Sequence, residues 1–151
     1  MTSDARERLL THLIADEGVV LHAYQDHLGW WTIGVGRLID KRRGGGITHN
    51  EALYLLNNDV DSHTRDLVAR FPWVEDLDEV RKIALVNLCF NMGIEKLAKF
   101  VNTMAAVKRG DWDAAAAGLR SSLWFKQVQA SRSGRIIRQI RTGQYDDVRH
   151  A

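Results

Sequence analysis

Asp16-Glu-Gly-Val-Val-Leu-His-Ala-Tyr-Gln-Asp-His-Leu-Gly-Trp-Trp-Thr-Ile-Gly-Val-Gly36 is the stretch on which the fold reading turns. Tyr24, Trp30, Trp31, Ile33 and Val35 are strand formers, Asp26-His-Leu-Gly29 supplies turn chemistry, and Gly34 and Gly36 punctuate the second run. This pattern predicts a β-hairpin with Asp26 at its turn and Thr32 on the return strand. Strand neighbours face opposite ways, so one of Trp30 and Trp31 is expected inward and the other toward a cleft. Upstream, Leu9, Leu10, Leu13 and Ile14 recur at helical spacing, which predicts a helix over 4–14 and places Glu17 at a helix end.

Downstream of the hairpin, Lys41-Arg-Arg-Gly-Gly-Gly46 reads as a flexible basic loop, and Thr48-x-x-Glu51 fits a capping box, so a helix should start near His49. Ala52, Leu55, Leu56, Val60, His63, Leu67, Val68 and Phe71 continue one apolar stripe up to Pro72. A single helix of about 20 residues, roughly 30 Å long, follows from that stripe and connects two lobes. Asp76-x-x-Glu79 is a second candidate capping box, ahead of the run Val80 to Phe90, which is apolar on most sides and belongs at the centre of the core. Shorter helices are expected over 95–100, 101–109, 111–121 and 133–142, with Gly110 and Gly143 as stops. The expected class is α+β, mostly α. A small hairpin lobe spans about 15–48, a connecting helix about 49–70, and a helical lobe about 71–151, joined by the N-terminal helix. Clefts between lobes are common ligand sites.

At 151 residues, with 45% hydrophobic and 26% charged residues and a single proline, the chain has the length and apolar content of one globular domain. Its single cysteine, Cys89, excludes an internal disulfide and sits among Leu88, Phe90 and Met92, where a buried packing group is expected. The charged start Met1-Thr-Ser-Asp-Ala-Arg-Glu-Arg lacks the n-region and h-region of a signal peptide, and no apolar run approaches the roughly 20 residues of a membrane span. Accumulation in the cytoplasm is the expectation. Net charge is +2, yet the segment Lys126 to Arg141 carries Arg132, Arg135, Arg138 and Arg141 without an acidic residue. That basic patch is either a solvated helix face or a contact for a polyanion such as cell-wall polymer, lipid surface or nucleic acid.

Glycosidic cleavage needs a proton donor for the leaving oxygen and a second polar centre that handles the attacking water or the developing positive charge. Glu17 at a helix end and Asp26 in the turn are the natural candidates, with Thr32 able to point to the same side. Read from the residues alone, the plainer alternatives of turn chemistry and a solvated helix end stay open.

The stretch from Asp16 to Gly36 resembles the active-site signature of the T-even phage lysozymes, glycoside hydrolase family 24, in which Glu, eight residues, Asp, five residues and Thr form the triad; Glu17, Asp26 and Thr32 have that spacing. Similarity continues through Ile47-Thr-His-Asn-Glu-Ala52, Asn58-Asp-Val-Asp61, Ala84-Leu-Val-Asn-Leu-Cys-Phe-Asn-Met-Gly93, Trp112-Asp-Ala-Ala-Ala116, Trp124-Phe125 and Arg141-Thr-Gly-Gln-Tyr-Asp146. The resemblance implies a lysozyme fold, peptidoglycan as substrate, and inverting hydrolysis. Glu17 would be the general acid, with Asp26 and Thr32 positioning and activating water. An inverting pair of carboxyls stands about 6.5 to 9.5 Å apart, and acid work asks that Glu17 be partly desolvated. The resemblance also implies sugar contacts at Leu38, Phe90 and Thr103, and ion pairs Glu17–Arg132, Asp16–Arg135 and Arg37–Asp59. Three departures stand out. The segment between Leu38 and Thr48 is short, so a hairpin strand and a small helix are expected to be missing. Arg37 replaces a His, and Gly118 replaces an Asn that would meet sugar.

Other chemistry is set aside on its own terms. His12, His22, His27, His49, His63 and His150 form no HExxH motif or familiar ligand spacing, so neither metal nor cofactor is expected. Gly34-Val-Gly36 and Gly44-Gly-Gly46 lack the context of a phosphate loop. Rival functions are a glycan binder without chemistry, a membrane-active protein using Ile136, Ile137 and Ile140 opposite the arginines, and a nucleic-acid binder, which the weak net charge disfavours. Family analogy further implies release by a holin, possible contact of the C-terminal helix with an anionic envelope, and a monomer.

Overall fold

The computed structural model describes residues 2–146. The chain divides into two compact units, Met1–Tyr54 and Leu55–Ala151, with the division falling inside a helix. The class is mostly α with one small antiparallel sheet.

In the first unit, helix α1 (Ser3–Glu17) starts where the Thr2 hydroxyl accepts the Ala5 N–H. It runs three residues further than the apolar spacing indicated, because Ala15, Asp16 and Glu17 contain no breaker. Gly18, at φ 71°, ends it and donates its N–H to the Ile14 carbonyl at 2.9 Å. Glu17 is thereby the last helical residue. Strands β1 (Val20–Gln25), β2 (Trp31–Gly34) and β3 (Arg37–Leu38) pair antiparallel in that order. Tyr24 faces Thr32, and Thr32 faces Leu38, so Thr32 sits on the central strand. The third strand has only two residues, too short for alternation to reveal. It forms because Gly34 and Gly36, at φ 71° and 72°, turn the chain straight back on β2. No helix occurs over 39–48.

Helix α2 (His49–Arg70) begins with the anticipated capping box: Glu51 N–H donates to the Thr48 hydroxyl at 3.2 Å, and Thr48 N–H donates to Glu51 Oε2 at 2.7 Å. The Glu51 carboxylate also receives Arg37 in a two-bond fork, Nη1 to Oε2 at 2.8 Å and Nη2 to Oε1 at 2.7 Å. Arg37 thus takes Glu51 of its own unit, whereas the expected partner, Asp59, belongs to the other. The capping box already holds this carboxylate in place, and a planar guanidinium matches it edge to edge.

The second unit carries the core. A 3-10 turn over Pro72–Asp76 leads into α3 (Glu79–Met92), capped by Asp78, which accepts the Arg81 N–H, and not by Asp76, which the turn consumes. There follow α4 (Ile94–Ala98), α5 (Val101–Lys108), α6 (Trp112–Arg120), α7 (Leu123–Gln127) and α8 (Ala130–Thr142). Five-residue α7 was not anticipated; it is shorter than two turns and shows no period, but Ser122 caps it. Leu67, Leu85, Leu88, Cys89, Leu119, Ile136 and Ile140 are fully buried. Ile136, Ile137 and Ile140 are spent on this core, so α8 has no apolar face left for a membrane, which removes the basis of the membrane-disruption reading. Arg81 ties the unit together: it stacks 3.8 Å over Trp112, bonds Asp78, and donates Nε to the Ile140 carbonyl at 2.7 Å and Nη2 to that of Arg141 at 3.2 Å. Cys89 donates its thiol to the His63 carbonyl at 3.6 Å, and burial pushes that thiol upward. Among the described residues, no helix is long and apolar enough to cross a membrane.

Glu51 is held at about 2, below its ordinary 4.5, first by the Arg37 bonds and then by the Thr48 N–H. A depressed carboxylate stabilises the fold above its unfolded value and loses that contribution as pH falls through the folded one. Replacing Glu51 by Gln should lower the Tm at neutral pH. Melting curves followed by circular dichroism should show the gap from wild type narrowing below pH 4.5 and smallest near pH 2.

Candidate active site

One cleft of about 240 Å³ in the first unit is lined by Glu17, Tyr24, Asp26, Trp30, Thr32, Gly36 and Leu38, with His27 and Leu28 at the turn. Glu17, Asp26, Thr32 and Leu38, singled out from the sequence, therefore meet in one place, while Asp16 and Arg37 do not line it. Each is delivered by a different local device.

Asp26 closes the β1–β2 turn. Its Oδ1 accepts the Leu28 N–H at 2.9 Å and the Trp30 N–H at 2.8 Å, and its backbone N–H donates to the Trp30 carbonyl at 2.9 Å. The Trp30 N–H above all holds the carboxyl below its ordinary range; desolvation, next in size, opposes it, and the Leu28 N–H, His27 and Arg42 add to the lowering. Asp26 is a carboxylate across the neutral range. Both backbone bonds fall on Oδ1, which leaves Oδ2 for another partner.

Thr32 is buried, and its hydroxyl donates to the Trp30 carbonyl at 3.0 Å. With its one proton so engaged, Oγ1 can only accept from anything placed in the cleft. Glu17 lies against Gly36: a Cβ there would stand 3.0 Å from Glu17 Cδ and Oε2. Gly18 after it and Gly36 against it bring no side chain to cover it, and Glu17 is exposed. Leu38 stands beside Thr32 on β3. Trp30 lines the cleft as anticipated for one of the two tryptophans, but Trp31 is exposed too, since the unit's main packing is strand to strand.

Phe90, Thr103, Asp59, Arg132 and Arg135 belong to the second unit. Phe90 rests against His63, ring centroids 5.2 Å apart, and lines with Arg132 an apolar groove of about 830 Å³ that includes Leu56, Val60, Ile83 and Val86. Arg132 donates to Asn87 Oδ1 from Nε at 3.1 Å and Nη2 at 2.7 Å, a contact that no spacing rule announced. Asp59 is exposed on α2. Thr103 does not offer a hydroxyl to sugar: it is buried, its Oγ1 against Gly118, where α5 and α6 pack so closely that a Cβ would collide with it. Asp16 and Glu17 lie in the first unit, and their expected partners Arg135 and Arg132 in the second. Among the described residues no three His, Cys, Asp or Glu side chains converge as a metal site, and His150 lies outside those residues.

Sequence reasoning missed Tyr24 and Gly36 as cleft walls. Register supplies the missing signal for Tyr24, which stands opposite Thr32. The glycine-rich loop is also not loose: Gly45 N–H donates to the Arg42 carbonyl at 2.9 Å and Gly46 N–H to the Leu38 carbonyl at 3.0 Å. The middle one of its three basic residues, Arg42, lies over the Trp30 ring.

Residues 15–142 match the phage lysozyme family. The chain is 32% identical over 153 residues to the pre-baseplate central spike protein Gp5 of Enterobacteria phage T4, a match covering 85% of this chain and 26% of that protein. It is 28% and 30% identical to the probable T4-type lysozymes 1 and 2 of Dictyostelium discoideum, over 85% of this chain and 90% of each.

Gly36→Ala tests the close approach. An alanine at φ 72° should lower stability by about 1 kcal/mol, and its methyl must displace the Glu17 carboxyl, reducing turnover about tenfold or more. Melting and hydrolysis measured on the same sample should show the activity loss far exceeding the stability loss.

Proposed function

The chain belongs to the phage lysozyme family, hydrolases of peptidoglycan, and on that premise we propose that it cleaves the β-1,4 bond between N-acetylmuramic acid and N-acetylglucosamine with inversion at the anomeric carbon. The observation that supports this most is the gathering of Glu17, Asp26 and Thr32 around one cleft.

Glu17 gives its proton to the leaving glycosidic oxygen as the bond breaks. A water between Asp26 and Thr32 attacks the opposite face of the sugar. That water donates one hydrogen to Thr32 Oγ1, whose own proton is held by the Trp30 carbonyl, and the other to Asp26 Oδ2, the oxygen not occupied by the turn. Its lone pair is then directed at the anomeric carbon. As the C–O bond forms, the proton passes to Asp26, and the products carry one water added across the cleaved bond. Because Asp26 is held ionised by its backbone donors, it is ready as a base to take the proton of the attacking water.

Leu38 and Phe90 are proposed sugar contacts. Arg132 facing Glu17 and Arg135 facing Asp16 are proposed supporting pairs, all within one lysozyme domain over 1–151. The biological setting proposed is host-cell lysis by a monomeric enzyme without cofactor, made in the cytoplasm and released to the cell wall when a holin opens the inner membrane. The exposed Arg141 and the neighbouring arginines of α8 would add attraction to an anionic envelope by charge alone.

Release of reducing ends from purified peptidoglycan should fall at least about a hundredfold in Glu17→Gln and in Asp26→Asn, with both variants folded by circular dichroism. Proton NMR of the first-formed product should show the α anomer. Undiminished hydrolysis in Glu17→Gln, or a β product, would refute the assignment, and an inactive wild type that still binds glycan would favour a binding protein.

A further inference from the structure

We propose that Arg42 is a positioning residue for Asp26: stacked on the Trp30 ring and anchored to Asp40, it fixes Trp30 and with it the backbone N–H that holds the Asp26 carboxylate. The inference rests on the reading of Asp26 as the base.

Three consecutive basic residues, Lys41, Arg42 and Arg43, occupy the loop after β3, and only the middle one is drawn in; its neighbours are exposed. The loop is built to do this. Arg42 donates its backbone N–H to Asp40 Oδ1 at 3.1 Å and its Nε to the same oxygen at 2.8 Å, while Nη2 lies against Oδ2 as an ion pair. Gly45 passes so close to the Asp40 carbonyl that a Cβ would collide with it, and Arg37 pins the far end through the Gly46 carbonyl at 3.3 Å. The path from Asp40 to Gly46 thus leaves little freedom in where Arg42 arrives.

A planar guanidinium suits the place, since its face can lie on an indole while its edge nitrogens keep a carboxylate, which an ammonium cannot do. Trp30 lines the cleft beyond the stack and donates the shorter of the two bonds to Asp26. Charge works in the same direction: Arg42, itself ion-paired with Asp40, and His27 favour the ionised form of Asp26, and Glu17 is the other carboxyl of the cleft.

The test compares wild type with Arg42→Met and Arg42→Lys, alongside Asp26→Asn. It reads kcat and KM on purified peptidoglycan together with the titration midpoint of the Asp26 carboxyl by carbon-13 NMR. Arg42→Met should keep KM, lower kcat about tenfold and raise the Asp26 midpoint. Arg42→Lys should return the midpoint toward wild type while leaving kcat low, because it restores charge without the stack. Unchanged kcat and midpoint in folded Arg42→Met overturns the proposal, as does a rise in KM alone, which would make Arg42 a substrate contact. If Arg42→Met does not fold, Arg42→Lys decides: reduced kcat supports the stack, wild-type kcat overturns it. An active Asp26→Asn would strike the assignment of the base, while the midpoint would still report on the link between Arg42 and Asp26.

Discussion

Asp26 Oδ1 accepts two N–H groups from its own turn, and the arrangement of the first unit follows from that bond pair. Closing the turn at this length sets Tyr24 against Thr32, and the Gly34 to Gly36 reversal then sets Thr32 against Leu38. In a sheet, a shift of one residue would carry every side chain to the other face. The carboxylate that fixes the register is therefore also the group that decides whether Thr32 and Leu38 face the cleft at all. Structure and chemistry share one side chain by dividing its oxygens, one committed to the backbone and one left over.

The backbone of the site carries little strain. No residue other than glycine among those described has positive φ, and the sharp reversals fall on glycines. Gly36 does more than turn the chain, since its missing Cβ is the space that the Glu17 carboxyl occupies. Arg37 and Glu51 hold the other end of β3 to the start of α2, so the two-residue strand is fixed from both sides.

Much of this was legible in the chain. The capping box at Thr48 and Glu51 is read from two residues at a fixed offset, and helix α2 follows from an unbroken stripe. Asp26 and Thr32 were placed by turn and strand chemistry alone. What sequence could not supply was tertiary. Asp76 and Asp78 both suit a cap, and only the 3-10 turn, which uses up Asp76, selects the second. Glu51 was assigned to its helix cap, yet nothing local says that Arg37, fourteen residues earlier, would choose it. Three glycines after three basic residues look like slack, whereas one of them, Gly45, is there for fit. Thr103, a sugar contact by resemblance, is buried by the close approach of Gly118. In each case the deciding contact lies across elements, where periodicity carries no information.

Cys89 has a use outside the enzyme's own business. The thiol is sealed from solvent, engaged with the His63 carbonyl and held in its protonated, unreactive form. It is also the chain's single cysteine. A cysteine introduced on the surface would then react with a maleimide while the native one stays silent, so dyes or spin labels can be attached at chosen pairs of positions without first removing Cys89. The fold comes ready as its own background for distance measurements in solution.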